Sequence, residues 1–457
     1  MASSKPSAAC SKRSRRSRSR PSRTQWTPST PRPLRHKEKP LVNRLLIAVL
    51  LTLPLLFQPS PAAAGPLETL QFGGQIRVRS EHGNPTAGYG AYSLGDVTLI
   101  RTRLNISAKP GEGLVGFIQF QDSRTAGQTA PGALPATPTT YLHQGYIDVN
   151  DLYALPLHLR AGRFAMDYGG GRLISSLDWS NIGRSWDGVR LQYKRDDWQS
   201  DLFATKIVEV AGQALNDDTT FVGLYNTYSG VENHVFDAYA LELSSKTAGN
   251  ADTNRHTLGL RGARNKGNLL YAGELVWQSG RQGGSDIQAW AFAADAAYTF
   301  EREYKPQISG EYAYASGDRH PNDKRDQRFQ PLFPFGHFYH GFADLQQWSN
   351  THAFKLALAA RPCKSTWGQI ALHHFRLASR SDGWINAGGA VVGRDPNAAS
   401  GANVGTELDL HFKTKVRGAL GLWYGYSRFF RGAYAKNVLP GKGRDMDWMF
   451  AQAVLNF

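Results

Sequence analysis

Gln75-Ile76-Arg77-Val78-Arg79 and Ile100-Arg101-Thr102-Arg103-Leu104-Asn105-Ile106-Ser107 decide the architecture. In both, apolar and polar side chains alternate residue by residue, the period of a pleated strand with one oily face and one wet face. The same alternation recurs along the chain. Trp290, Phe292, Ala294, Ala296, Tyr298 and Phe300 share one parity, and Leu408, Leu410 and Phe412 stand opposite Glu407, Asp409 and His411. Helical periodicity is nearly absent.

The links between these runs alternate in length. Tight ones fall at 109–112, 151–156, 195–197, 265–267, 301–305, 361–365 and 414–416. Long polar or Gly-rich ones fall at 81–96, 123–140, 165–185, 318–350, 378–403 and 429–445. A sandwich has no reason to keep such an order, whereas a transmembrane antiparallel up-and-down β-barrel does, with short periplasmic turns and long extracellular loops. The pattern predicts an all-β barrel of about 18 strands, with about 16 as the alternative, and is weakest over 221–228 and 235–243. At the end of the chain, Phe457 shares its parity with Leu455, Ala453, Ala451 and Met449, giving a closing strand with a terminal aromatic. That ending resembles the signal read by bacterial barrel-assembly machinery, which makes this machinery an expected partner.

Ahead of the barrel, Arg44 precedes an apolar run over 45–57, and Ala62, Ala63 and Ala64 follow. The run is short of the ~20 residues a spanning helix needs, and Ala62-x-Ala64 offers a cleavage site, so a secretory signal is predicted. The expected organisation is a basic Ser/Arg-rich leader at 1–40, a signal peptide at 41–64 and the barrel at 65–457. Residues 1–64 hold 13 Lys+Arg against Glu38 alone, leaving 40 Lys+Arg against 36 Asp+Glu in the remainder. The formal +16 is therefore mostly leader, and no nucleic-acid role follows from it. Mean hydropathy is −0.42 and no later stretch is apolar for long enough to be a membrane helix. Past Cys10 in the leader, Cys363 stands alone, so the mature chain closes no internal disulfide.

If the apolar parity meets lipid, the other parity faces a wet lumen. It places Arg77, Arg79, Arg101, Arg103, Arg160, Arg190, Lys194, Arg261 and Lys355 inside, together with Asp148, Glu274, Asp295, Glu311, Glu407 and Asp409. Salt bridges across the lumen are expected among them. Arg77, Arg79, Arg101 and Arg103 crowd one hairpin with no acid nearby in sequence, which suggests an anionic guest, since guanidinium groups suit carboxylate and phosphate. Tyr141, Trp186, Trp198, Trp290, Tyr298, Trp367 and Trp448 near strand ends are candidates for interfacial girdles or for lumenal packing. His337, His340 and Asp344 share one long loop, a candidate gate, with His373 and His374 following. No serine stands in a nucleophile context and no metal-ligand spacing appears, so neither an enzyme, a metal nor a cofactor is expected.

Several segments resemble the alginate-export family of outer-membrane barrels. They are Tyr-Leu-His-Gln-Gly-Tyr-Ile-Asp-Val at 141–149, Leu-Arg-Ala-Gly-Arg at 159–163, Gly-Thr-Glu-Leu-Asp-Leu at 405–410, Phe-Gly-His-Phe-Tyr-His-Gly-Phe-Ala-Asp at 335–344 and Leu-His-His-Phe at 372–375. The resemblance is in order and spacing more than in identity. It implies an 18-stranded barrel with an electropositive constriction that passes a uronate polymer, and it sets Arg160 and Arg163 at positions matching a pore-facing family segment. The expected function is an outer-membrane channel for an anionic polysaccharide or related anionic solute. A general or solute-specific porin is the alternative, and an outer-membrane enzyme or an adhesive loop surface stands further off. Outer-membrane lipid, lipopolysaccharide and periplasmic export proteins are the expected partners. The many lumenal acids depart from a simple cationic pore.

Overall fold

The computed structural model describes residues 69–83, 96–127, 139–208, 219–245, 252–439 and 444–457. The leader, the signal segment and Cys10 lie outside them. Eighteen strands build the wall. They are β1 Thr69–Gly83, β2 Val97–Gly111, β3 Leu114–Gly127, β4 Thr139–Val149, β5 Leu157–Phe164 and β6 Trp186–Arg195. β7 Trp198–Ile207, β8 Thr220–Tyr228, β9 His234–Ser245, β10 Thr253–Arg264, β11 Leu269–Gln282 and β12 Ser285–Thr299 follow. The circuit ends with β13 Gln307–Ala315, β14 Thr351–Cys363, β15 Thr366–Arg376, β16 Asn403–Arg417, β17 Leu420–Arg431 and β18 Met446–Asn456.

Each strand pairs antiparallel with the next in sequence, and β1 closes onto β18. Closure removes both sheet edges, so every strand finds hydrogen-bond partners within the wall, as hydrocarbon requires. The seam is tight where the chain ends. The backbone of Phe457 bonds that of Gly74 in both directions, at 2.7 and 3.1 Å. A Cβ on Gly74 would fall 2.6 Å from the Phe457 ring, so the close approach needs glycine there.

The alternation predicted from the sequence sorts the two faces. Phe72, Ile76, Val78, Leu104, Leu258, Leu356 and Leu410 are exposed on the outside, while Arg77, Arg101, Gln121, Asp237, Glu407 and Asp409 are buried inside. Two details differ from the sequence reading, and a third settles what it left open. The turns predicted at 109–112, 361–365 and 414–416 sit later, at 112–113, 364–365 and 418–419, because bulges carry the strands further. The link between β11 and β12 is only Gly283 and Gly284, a hairpin on the rim that otherwise carries the long loops. The aromatic set divides. Trp198, Trp290 and Tyr298 lie on the outer face, whereas Trp186 and Trp448 are buried inside and Tyr141 bonds Gln121 and His143 in the lumen.

The lumen is not empty. Three loops, at 165–185, 316–350 and 377–402, fold into the long-loop half and bury an aromatic core against the inner wall. Phe333 packs edge-on against Trp186 and Phe221, and Phe329 against Trp348. Burying rings of this size is the strongest reason for polar-rich loops to stay inside a wet bore.

Candidate constriction and vestibule

β1 and β2 set Arg77 directly opposite Arg101. Left alone, these cations would repel, and the one acid on the same strand, Glu81, is taken by Arg79. The 165–185 loop supplies what is missing. Arg77 donates to the carbonyls of Asp178 and Ser180 at 2.6 and 2.8 Å. Arg101 donates to the same two carbonyls at 3.0 Å each, to the Asp178 carboxylate at 2.8 Å and to Gln75 at 2.7 Å. Arg103 reaches Asp178 at 2.7 Å and Gln121 at 2.6 Å. Arg79 pairs with Glu81 at 2.6 Å, donates to the Trp179 carbonyl at 2.7 Å and lies 3.8 Å over the Trp179 ring. The expectation of an uncompensated cationic wall is therefore corrected: the four arginines hold a loop. Burial favours the neutral form of Asp178, but Arg101, Arg103 and Arg77 outweigh it and hold its carboxyl down at about 2.

The second loop completes the plug. Its backbone zips to the first, with Ser175 N to Phe333 O at 3.0 Å, Phe333 N to Leu173 O at 2.8 Å and Phe335 N to Gly171 O at 2.8 Å. Arg172 of the first loop meets Glu311 of β13 at 3.0 Å and lies 3.6 Å over the Tyr339 ring of the second. Glu407 and Asp409, expected to line the pore, are fully buried beneath this loop. Glu407 accepts from Ala343 N at 2.8 Å and Asp409 from Phe342 N at 3.3 Å, while His373 lies 3.2 Å from Asp409. They anchor the loop to the wall and leave no carboxylate for a solute.

His337 stacks on Trp179 at 4.0 Å, 16° from parallel, and meets Phe342 edge-on. Its Nδ1 lies 3.1 Å from Asp344. The ladder Arg79, Trp179, His337 thus ties the candidate gate to the arginine-held loop. His340 is buried behind it, and burial pushes its imidazole down to about 3, so it is neutral at ordinary pH. The third loop locks on through Gln347 N to Ile385 O at 3.0 Å and Trp384 Nε1 to Leu345 O at 2.8 Å.

Gly341 sits at the seam. Its φ is +90°, and a Cβ there would fall 2.4 Å from Glu407 Oε1, which is buried and has little room to retreat. Gly341→Val should therefore unseat Phe342 and Ala343 at a cost of about 2–3 kcal/mol. Single-channel recordings of that variant should show larger and noisier currents; traces matching the wild type would mean that this loop does not limit flow.

The other predicted lumenal residues are spread around the wall. Arg160 pairs with Asp148 at 2.7 Å over the Tyr146 ring, and Arg190 stands opposite Arg160 in the register. Arg261 pairs with Asp237 at 2.8 Å, and Lys355 stands opposite Glu311 and donates to the Phe338 carbonyl at 3.3 Å. Lys194 is exposed at the end of β6 beside the short turn, away from the loops. Arg163 is a correction. Unbroken alternation from lumenal Arg160 and Arg190 puts Phe164 and Trp186 inside, so Arg163 and its partner Asp187, 2.7 Å away, turn to the outer face.

Above the plug opens a vestibule of about 1080 Å³. Trp179, His337, Phe342 and Asp344 are among its lining residues, with Arg255, Arg328 and Arg394 around the wall. Asp382, fully buried, accepts from both Arg328 and Arg394 at 2.9 Å. None of Asp178, Trp179, Arg172 or Asp382 was singled out from the sequence. They lie in loops without periodicity, and only folding brings them to the wall.

The model of the alginate export family matches residues 68–451. No curated protein matches the chain. Among solved structures, Pseudomonas aeruginosa OccD3 (OpdP) is similar at 11% identity and a TM-score of 0.59, over 88% of this chain and 96% of that one. Pseudomonas aeruginosa OprD is similar at 11% and 0.58, over 88% and 98%. Pseudomonas aeruginosa OpdK, solved with vanillate, is similar at 12% and 0.58, over 85% and 99%. At such identities these three speak to the barrel fold, while the family match spans nearly the whole described wall. The chain belongs to the alginate export family, as an outer-membrane β-barrel of the channel type.

Proposed function

We propose that the barrel is an outer-membrane conduit for carboxylate-bearing saccharides, with the three infolded loops as its constriction. The observation that carries this reading is the charge balance of the vestibule. Arg79, Arg184, Arg255, Arg325, Arg328 and Arg394 line it against Glu81, Asp318, Asp326 and Asp344. Arg328 and Arg394 also share the carboxylate of Asp382, so six guanidinium groups stand against these four carboxylates and Asp382, and the vestibule keeps a surplus positive charge. A low-dielectric bore focuses such a surplus, and planar guanidinium groups match carboxylates in geometry. The His337 and Asp344 pair, in contact with Trp179 and Phe342, serves the packing of the loops.

Planar-bilayer recordings test this. The purified chain should give currents with an anion-selective reversal potential in a salt gradient, interrupted by oligouronates and left alone by neutral oligosaccharides of equal length. Cation-selective currents indifferent to oligouronates would overturn it. The similarity to OpdK supplies a second reading, a small aromatic carboxylate, favoured by the closeness of the loops. Block by vanillate without block by oligouronates would select that reading.

A further inference from the structure

On the inner wall, three neighbouring strands carry one row of side chains at the foot of the loops, which touch it only through Trp423. Trp367 of β15 stands opposite Lys413 of β16, and Lys413 stands opposite Trp423 of β17. All three have the parity of His373, Asp409 and Ser427, which are buried inside. The row lies at the end of the barrel closed by the short turns 364–365 and 418–419, the periplasmic mouth by the ordinary orientation of such barrels. Lys413 is exposed there, with Nζ 4.2 Å over the Trp423 ring. Trp367 and Trp423 are half-buried.

The rings are held in place. Trp423 Nε1 donates to His411 Nδ1 at 3.1 Å, His411 Nε2 lies 3.2 Å from Gln369, and Trp367 meets His411 edge-on at 5.2 Å. Fixing a ring beforehand lowers the entropy lost on binding. The row also leads somewhere, because the Trp423 ring meets Trp179 of the constriction at 4.9 Å, 68° from parallel.

We propose that Trp367, Lys413 and Trp423 form a docking platform for a uronate-type sugar ring inside the periplasmic mouth. The C–H face of a pyranose is apolar and lies against indoles, while its equatorial carboxylate meets an ammonium. An inorganic anion has no use for the indoles, and a neutral sugar has none for the lysine. The platform rests on the saccharide-channel reading above and adds to it a binding step before the constriction.

The test is oligouronate block of single channels from each chamber. A bulky thiol reagent on the exposed Cys363, at the end of β14, marks the short-turn side. Lys413→Gln should slow oligouronate association from that side about tenfold, the loss of one well-placed ion pair. Trp367→Ala and Trp423→Phe should shorten block events from that side. Block from the long-loop side and the open-channel conductance should stay within twofold of wild type in Lys413→Gln and Trp367→Ala. Retained heat-modifiable gel migration certifies the folded barrel in each variant. Unchanged block in all three variants, with wild type blocked as expected, overturns the platform and leaves the channel reading standing. Absence of any oligouronate block in the wild type overturns both.

Discussion

Replacing residues 317–349 with a short Gly-Ser linker raises the single-channel conductance at least about threefold, because pore dimensions set the current. The replacement is sterically open. Ala315 and Thr351 are paired neighbours in the wall, so a few residues suffice to join β13 to β14. The barrel itself does not depend on the loop, since every ladder pairing between adjacent strands remains. What goes is the material in the bore: Phe329, Phe333, Phe342, Leu345 and Trp348, all buried, together with the zipper to 171–175. Loss of that packing should lower the unfolding midpoint in denaturant as well, because several large apolar side chains no longer leave water. A loopless variant with wild-type conductance would show that the narrowest point lies elsewhere.

The second large effect is expected at Arg101. This guanidinium is fully buried and ends in four bonds, three of them to residues 178–180. Arg101→Met fits the volume but leaves the Asp178 and Ser180 carbonyls to Arg77 alone and takes away one of the two arginines on the Asp178 carboxylate. Breaking one side of such an arrangement typically costs several kcal/mol, and the Asp178 side chain is 58% exposed, so water and salt moderate the loss to about 2–3 kcal/mol. Limited proteolysis should then cut within 177–183, a stretch protected in the wild type, and the conductance should rise. An uncut loop in Arg101→Met would mean that Arg77 and Arg103 suffice.

The same contact predicts a pH dependence of definite sign. Asp178 ionises in the folded protein at about 2, below the ordinary Asp value of about 3.9 in an unfolded chain. Its contribution is therefore complete above about pH 4 and is lost as the pH falls through about 2. Wild-type loops should hold steadily from neutral pH down to mild acid and loosen below it. Asp178→Asn should show a weaker hold at neutral pH and no such acid step.

Much of the wall was legible because lipid and water impose opposite demands on successive residues of a strand. Ile76 and Arg77, or Leu408 and Asp409, declare the two faces wherever they occur, and a closed ladder follows once no edge is tolerated in hydrocarbon. Arg163 obeys the same rule: three positions from lumenal Arg160, it turns outward, against the pore-facing place implied by the family resemblance. What had no period to read were the loop residues, Asp178 and Trp179 among them, that fill the bore.

The sequence by itself determined a two-faced, closed barrel with a charged bore, since alternation and loop length are properties of consecutive residues. Only the tertiary structure decided what those charges do. Asp178 lies 77 positions beyond Arg101, and Glu407 lies 64 beyond Ala343. Over such separations no local rule says whether a lumenal cation meets a solute or its own loop. Here the wall arginines meet the loop, because a guanidinium shielded from water must be paired and the returning backbone of 178–180 offers the nearest acceptors.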